Sequence, residues 1–244
     1  MGGDIFEIDD LIILGRSVPS LMRDGRRPIC AAGFSPTHGF IRLYPTFHNF
    51  PFKRWNIIKV PVERAVSPRT DPRPESYKIR GPRKNPRALV QKVRKVGELD
   101  RDDWPDLLAG NSDACVMDIK DQGRSLGIIK PDIKEFFFSE NEDYSPFLQS
   151  RLDNGFVVDA KHQFPLEPRV RYSCPDCKTK GGFHDQQILE WGVYEFLRKF
   201  PEKKDSLSDN LRIFDEDYEK YFFVGDQLGH RFSYMVISVH RYKK

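Results

Sequence analysis

Ile29-Cys-Ala-Ala-Gly-Phe-Ser-Pro-Thr-His-Gly-Phe-Ile-Arg-Leu-Tyr-Pro45 is the stretch whose reading decides the fold class. Phe40, Arg42 and Tyr44 alternate with Ile41 and Leu43, and Ser35-Pro-Thr-His-Gly39 separates this run from the apolar Ile29 to Phe34. Period-two alternation on either side of a Pro/Gly connection predicts strand, turn, strand. Upstream, Ile12 to Arg16 reads as an edge strand or short lead-in broken at Val18-Pro19. Downstream, Trp55 to Val62 predicts a further strand, with Pro61 marking a strand end or sheet edge. The N-terminal half is therefore expected to be barrel-like.

Farther along, Pro68, Pro72 and Pro74 exclude a regular helix or central strand. Residues 87–99 fit a strand, because Val90, Val93 and Val96 are β-branched, with a short helix as the alternative. Asp102 to Gly110 predicts a short helix, and Ser125 to Pro131 and Ile133 to Phe138 predict strands of a second sheet. Ile188, Leu189, Val193, Phe196, Leu197 and Phe200 recur at the spacing of one helical face, which predicts an amphipathic helix over 186–200 with Asp185 as N-cap. Tyr221 to Gly225 and Phe232 to His240 predict closing strands. The expected fold is a β-rich α+β protein. Residues 1–124 would form a barrel-like domain with a basic loop, and residues 125–244 a second domain of mixed strands plus the one helix.

A chain of 244 residues can bury its own core without disulfide staples. Its longest apolar runs fall far short of the roughly 20 residues that span a bilayer. The start, Met1-Gly-Gly-Asp-Ile-Phe-Glu7, lacks the pattern of a secretory signal. Four cysteines are too few for a disulfide scaffold. These features point to a cytoplasmic protein without a membrane partner.

The most specific local signal is Cys174-Pro-Asp-Cys177-Lys-Thr-Lys-Gly-Gly-Phe-His184. Two thiolates two residues apart can wrap one side of a tetrahedral ion, and His184 lies within reach as a third ligand. A structural Zn2+ needs a fourth. Cys30, Cys115, His162, His230 and Asp185 are all available, and spacing selects none of them. The other readings are an unligated thiol pair or a redox pair, and Lys178 to Gly182 does not suit the helix a redox pair requires. His184, Asp185 and Glu190 could also form an active-site helix start, against the plainer reading of a cap, a ligand and solvated acids.

Net charge is only +4, but its distribution is uneven. Arg64, Arg69, Arg73, Lys78, Arg80, Arg83, Lys84, Arg87, Lys92, Arg94 and Lys95 face only Asp71 and Glu75 over their own stretch, and acids dominate from Glu98 to Asp121. Interleaved with Tyr77 and prolines, this composition suits a loop that follows a phosphate backbone. The alternative is a solvated loop that pairs with the acidic segment. Phe40, Tyr44, Phe47, Phe50, Phe52 and Trp55 crowd one window. Some belong to a core, and others could stack on single-stranded bases. Asp159-Ala-Lys161 has the form of the acid-x-lysine element of metal-dependent nucleases, but no preceding acid pair accompanies it.

Arg27-Pro-Ile-Cys-Ala-Ala-Gly33 with Gly39-Phe-Ile-Arg-Leu-Tyr-Pro45 resembles the opening of the dual OB-containing domain proteins of prokaryotes, found in settings linked to mobile elements and defence. The resemblance covers about the first fifth of the chain. It implies OB-type barrels and a nucleic-acid or nucleotide partner, and it assigns no catalytic residue. Two function classes follow. One is a nucleic-acid-binding protein that prefers single strands, contacting them through Arg69, Arg73, Tyr77, Lys78, Arg80, Arg83, Lys84 and Arg87. The other is a metal-dependent nuclease or related hydrolase centred on the Cys/His region. A site closed by four protein ligands favours the first, and an open position lined by acids the second.

Overall fold

The computed structural model describes residues 5–19, 28–46, 50–64, 71–81, 86–142, 165–227 and 229–244. The expected hairpin is present as β2 (Ile29–Ser35) and β3 (Gly39–Thr46), paired antiparallel from Ile29↔Thr46 to Ser35↔Gly39. β2 also pairs with β1 (Ile5–Arg16), a longer strand than the apolar run predicts. β1 in turn pairs with β4 (Asn56–Arg64). β5 (Ser76–Ile79) lies between β3 and β4, parallel to the first and antiparallel to the second. The order β1-β2-β3-β5-β4, closed by the β1–β4 pairing, makes a five-stranded barrel.

Two residues show how the barrel closes. A side chain at Gly33 would begin 2.0 Å from the Ile12 carbonyl, so only glycine lets β2 cross β1 at the register shift between Ile13 and Gly15. Pro61, expected at a strand end or edge, instead lies inside β4, opposite Glu7 of β1. On its other side β4 exchanges partners. Residues 56–59 pair with β6 (Arg94–Glu98) and residues 62–64 with β5, so the missing N–H falls at the changeover. The Pro61 carbonyl there accepts the Arg80 amide at 2.9 Å.

Ile8, Leu11, Ile13, Ile41, Leu43 and Val60 fill the barrel, and Phe50, Phe52 and Leu89 plug it. The stretch 87–99 divides between its two readings: α1 (Pro86–Val90) is helical and β6 is a strand. After it come α2 (Trp104–Gly110), the two-residue β7 (Ser112–Asp113) and α3 (Val116–Asp121).

The outer side of β1 and β2 is not exposed. Ile12, Leu14 and Ala32 pack against Leu126 and Ile128 of β8 (Leu126–Ile129), against Tyr221 and Phe223 of β12 (Tyr218–Gln227), and against Ile237 of β13 (His230–Lys243). β13, β12, β8 and β7 form a four-stranded sheet. β9 (Asp132–Glu140), β10 (Leu166–Ser173) and β11 (His184–Gln187) form a separate antiparallel sheet of three.

A buried ionic joint ties barrel to sheet. The Arg42 guanidinium donates to the Ser125 carbonyl at 2.8 Å and lies 3.6 Å from the Asp226 carboxylate. Arg73 grips Asp71 at 2.7 and 2.8 Å and donates to the Asp226 carbonyl at 3.1 Å. Glu75 accepts the Ser125 amide at 2.9 Å and its hydroxyl at 2.6 Å.

The helix expected over 186–200 is shorter than its apolar spacing suggests: α4 spans Trp191–Lys199. The residues before it spend their backbone donors elsewhere. Gln186 and Gln187 pair with β10, the Ile188 amide donates to the Pro168 carbonyl at 2.8 Å, and the Leu189 amide to Val236 at 2.7 Å. The extended Glu190 precedes the helix in place of Asp185, whose carboxylate is taken by Arg169 at 2.7 Å and Arg171 at 3.2 Å. Val193, Tyr194 and Leu197 are the buried residues of α4. Val193→Asp should therefore cost roughly 3–5 kcal/mol, the range for an uncompensated buried charge, and give an insoluble or unfolded chain. A soluble variant with an unchanged urea midpoint would show that this face is open to water.

Candidate metal centre

β10 and β11 form a hairpin whose Tyr172↔His184 pair is its last before the tip. Cys174 follows β10 directly and His184 opens β11, so strand pairing sets both donors on neighbouring chains. Between them the Thr179 hydroxyl donates to the Phe183 carbonyl at 3.0 Å, and Gly182 takes φ +69°, a left-handed turn position that glycine adopts without strain. This tight turn brings Cys177 back toward Cys174.

The fourth donor is Cys115. It caps α3 by accepting the Met117 amide, and the hairpin loop docks against this cap. The Asp176 amide donates to the Ala114 carbonyl at 3.3 Å, and Lys178 reaches Asp118 at 2.5 Å. The donor atoms of Cys115, Cys174, Cys177 and His184 all lie within 4.8 Å of one another. This Cys3His set can hold a metal ion. A tetrahedral ion with bonds of about 2.3 Å to sulfur and about 2.0–2.1 Å to nitrogen needs sulfur and nitrogen about 3.6 Å apart. Cys115 Sγ and His184 Nε2 are 3.6 Å apart.

The electrostatics suit the same ion. Burial, the first cause, and the neighbouring Cys115 and Cys177 push the Cys174 thiol far above its ordinary range. Three sulfurs cannot share this space as thiolates without a cation among them. At Cys177 burial pushes the pKa up, but hydrogen bonding to the Cys174 and Thr179 backbone and contact with the Thr179 side chain outweigh it and lower the pKa. Burial lowers that of His184, which favours the neutral imidazole a metal requires. The Met117 and Lys178 amides each lie 3.4 Å from Cys115 Sγ, donors that would spread the charge of a bound thiolate.

The sequence-derived basic residues scatter. Arg69, Arg83 and Lys84 lie outside the described residues, as do the Arg87 side chain, Phe47, Asp159, Lys161 and His162. Arg73 is 6 % exposed and belongs to the buried joint, because the Asp71–Ser76 segment docks against Ser125 and Asp226. Its guanidinium is not presented to solvent. Tyr77 packs edge-on against Phe6 at 5.5 Å. Lys78 is half-buried and Arg80 exposed, and neither enters an ion pair among the described residues. The acidic segment pairs mostly elsewhere: Asp113 with Arg124 and Asp118 with Lys178, while Glu98 takes Lys95 and Lys53.

Among the described residues, Phe40, Phe50, Phe52 and Trp55 form no open platform. Phe50 and Phe52 stack in the barrel core, Trp55 stacks on Trp104 at 4.3 Å, and Phe40 packs against Phe34 and Phe223.

No helix among the described residues is long and apolar enough to cross a membrane. No curated protein and no solved structure matches the chain. A family model described as a domain of unknown function (DUF8758) matches residues 7–105, which run from β1 to the start of α2 and stop short of all four metal donors.

Proposed function

We propose that the protein binds nucleic acid, preferably single-stranded, through an OB-like barrel braced by a structural Zn2+ in its C-terminal half. The observation that carries this reading is the barrel's strand order, β1-β2-β3-β5-β4 closed on β1 with β3 and β5 parallel. That order is the connectivity of OB barrels, whose strands 2–3 and adjoining loops bind oligonucleotides. The resemblance of the first hairpin to dual OB-containing proteins points the same way, as does their link with mobile elements and defence. Because the sheet at β12 covers part of the β2–β3 face, the contacts belong to basic side chains around it. Within the basic stretch, Lys78 is half-buried, and Arg80, Lys92 and Arg94 are exposed and suited to such contacts.

The Cys3His set supports a structural metal over a catalytic one. Four protein donors fill a tetrahedral zinc, leaving no position for the water that a hydrolase would activate. The nuclease reading therefore loses its main support.

Fluorescence anisotropy at low salt tests the proposal with labelled single-stranded DNA, single-stranded RNA and duplex. Single strands should bind most tightly, with log affinity falling linearly against log salt. The triple variant Lys78→Glu, Arg80→Glu, Arg94→Glu should weaken every sequence about equally and by at least about tenfold, since phosphate contacts position without specifying. Absence of binding to all three ligands at low salt would sink the proposal.

A further inference from the structure

Arg16, Arg54 and Arg241 line one cleft that contains a single buried carboxylate. The cleft, ≈ 1460 Å³, opens between the ends of β1 and β13 and the starts of α2 and α4. Glu190 on its floor is 7 % exposed and fully engaged. One oxygen meets Arg54 at 3.3 Å, and the other accepts the Val239 amide at 2.8 Å. Arg54 is anchored as well, donating to the Val239 carbonyl at 2.8 Å and the Ser238 hydroxyl at 3.2 Å.

Arg16 and Arg241 differ from it. Both are half-buried, and their guanidinium groups make no hydrogen bond or ion pair among the described residues. Arg16 lies over the Trp191 ring at 5.5 Å. Burial, and then the charge of Arg54, lowers the pKa of both against the opposing pull of Glu190 on each and of Glu195 on Arg16, so each cation is desolvated beside a like charge and only partly balanced. Such an arrangement costs free energy until an anion arrives. His240, 1 % exposed and 4.8 Å from Trp55, also lines the cleft. Neither of its ring nitrogens has a hydrogen bond of normal geometry.

Size and charge layout decide what fits. Small-molecule pockets run to about 300–1,000 Å³, and this open cleft is larger. Arg16, Arg54, Arg212 and Arg241 all line this one cleft, so it presents several cations and not a single point charge. Acids such as Asp100 and Asp209 also line the cleft and would repel an anion from their own part of it.

We infer that this cleft is a track for successive phosphates of a single-stranded nucleic acid, with Arg16 and Arg241 as contacts that stay unpaired until the strand binds. The inference rests on the nucleic-acid reading and names a site for it that the basic stretch from Arg64 to Lys95 does not contain.

Anisotropy titrations of a labelled single-stranded oligonucleotide against wild type, Arg16→Gln, Arg241→Gln and the double variant test it, with thermal melting of each free protein. Each glutamine should weaken binding about tenfold or more, as loss of a charge-assisted hydrogen bond does. Each should also reduce the salt slope by about 0.7. Melting of the free variants should fall little, because these guanidinium groups have no hydrogen bond or ion pair to lose and Arg16 gives up only its contact with the Trp191 ring. Arg16→Lys and Arg241→Lys keep the charge and should keep the slope. Wild-type binding with unchanged affinity and slope in the glutamine variants would overturn the track while leaving the nucleic-acid reading standing. No binding by wild type would overturn both. A drop in melting temperature in the lysine and glutamine variants alike would assign the arginines to structure and likewise overturn the track.

Discussion

Cys115→Ser and Cys177→Ser should each lower stability by more than about 4 kcal/mol and release metal, the size of loss seen when a structural ion leaves a core. Cys115 and Cys174 belong to the C-terminal hydrophobic cluster, together with Val116, Tyr172, Val193 and Tyr194. Without the ion their buried thiols keep their crowding and lose their binding partner. A strong chelator should reproduce the effect on wild type, seen as a lower and broader melting transition. Cys30→Ser is the control. Cys30 lies outside the cluster, 3.6 Å from the Arg42 guanidinium, and its loss should leave the metal content unchanged. Cys115→Ser protein that melts like wild type would show that the four donors form no working site.

The second large effect is expected at Asp226. Its carboxylate lies 3.6 Å from Arg42, 3.9 Å from Arg73 and 3.1 Å from Arg231, with its side chain shut off from solvent. Burial pushes its pKa up and the arginines, Arg42 foremost, pull it back. Asp226→Ala leaves buried cations facing a void, which should cost roughly 3–5 kcal/mol in urea unfolding. Arg42→Met alone should also destabilise, because it strands the acid. The double variant Asp226→Ala, Arg42→Met should lose less than the sum by more than about 1 kcal/mol, since neither partner is then left unpaired. Strict additivity would mean that the two groups do not act as a pair and that apolar packing alone joins barrel to sheet.

Much of the architecture was legible because local pattern and final pairing agree. The hairpin at residues 29–46 shows its period-two alternation and its turn residues within one short window, and the structure uses both. Pro61 sits inside a paired strand because β4 has different partners on its far side before and after it, an exchange that no local pattern shows. The start of α4 misled for a related reason. Ile188 and Leu189 fit a helical face by spacing, yet tertiary pairing with Pro168 and Val236 draws them into extended chain. Such long-range demands leave no local trace.

The site divides in the same way. Cys174, Cys177 and His184 share one hairpin, so spacing brings them together. Cys115 stands far upstream at the cap of another element, and only the docking of the loop onto α3 selects it from the five candidates. Arg73 closes a buried joint, and composition alone does not separate such a cation from one that follows phosphate. Arg16, Arg54 and Arg241 stand far from one another in sequence, and the end of β1, the turn before β4 and β13 converge only in the fold.

X-ray absorption at the zinc edge, with metal analysis on protein purified without chelator, tests the central claim of a closed structural metal centre most directly. One zinc per chain is expected, with three sulfurs at about 2.3 Å and one nitrogen at about 2.0–2.1 Å. Metal-free protein, or zinc with an oxygen in place of one of the four protein donors, would contradict it.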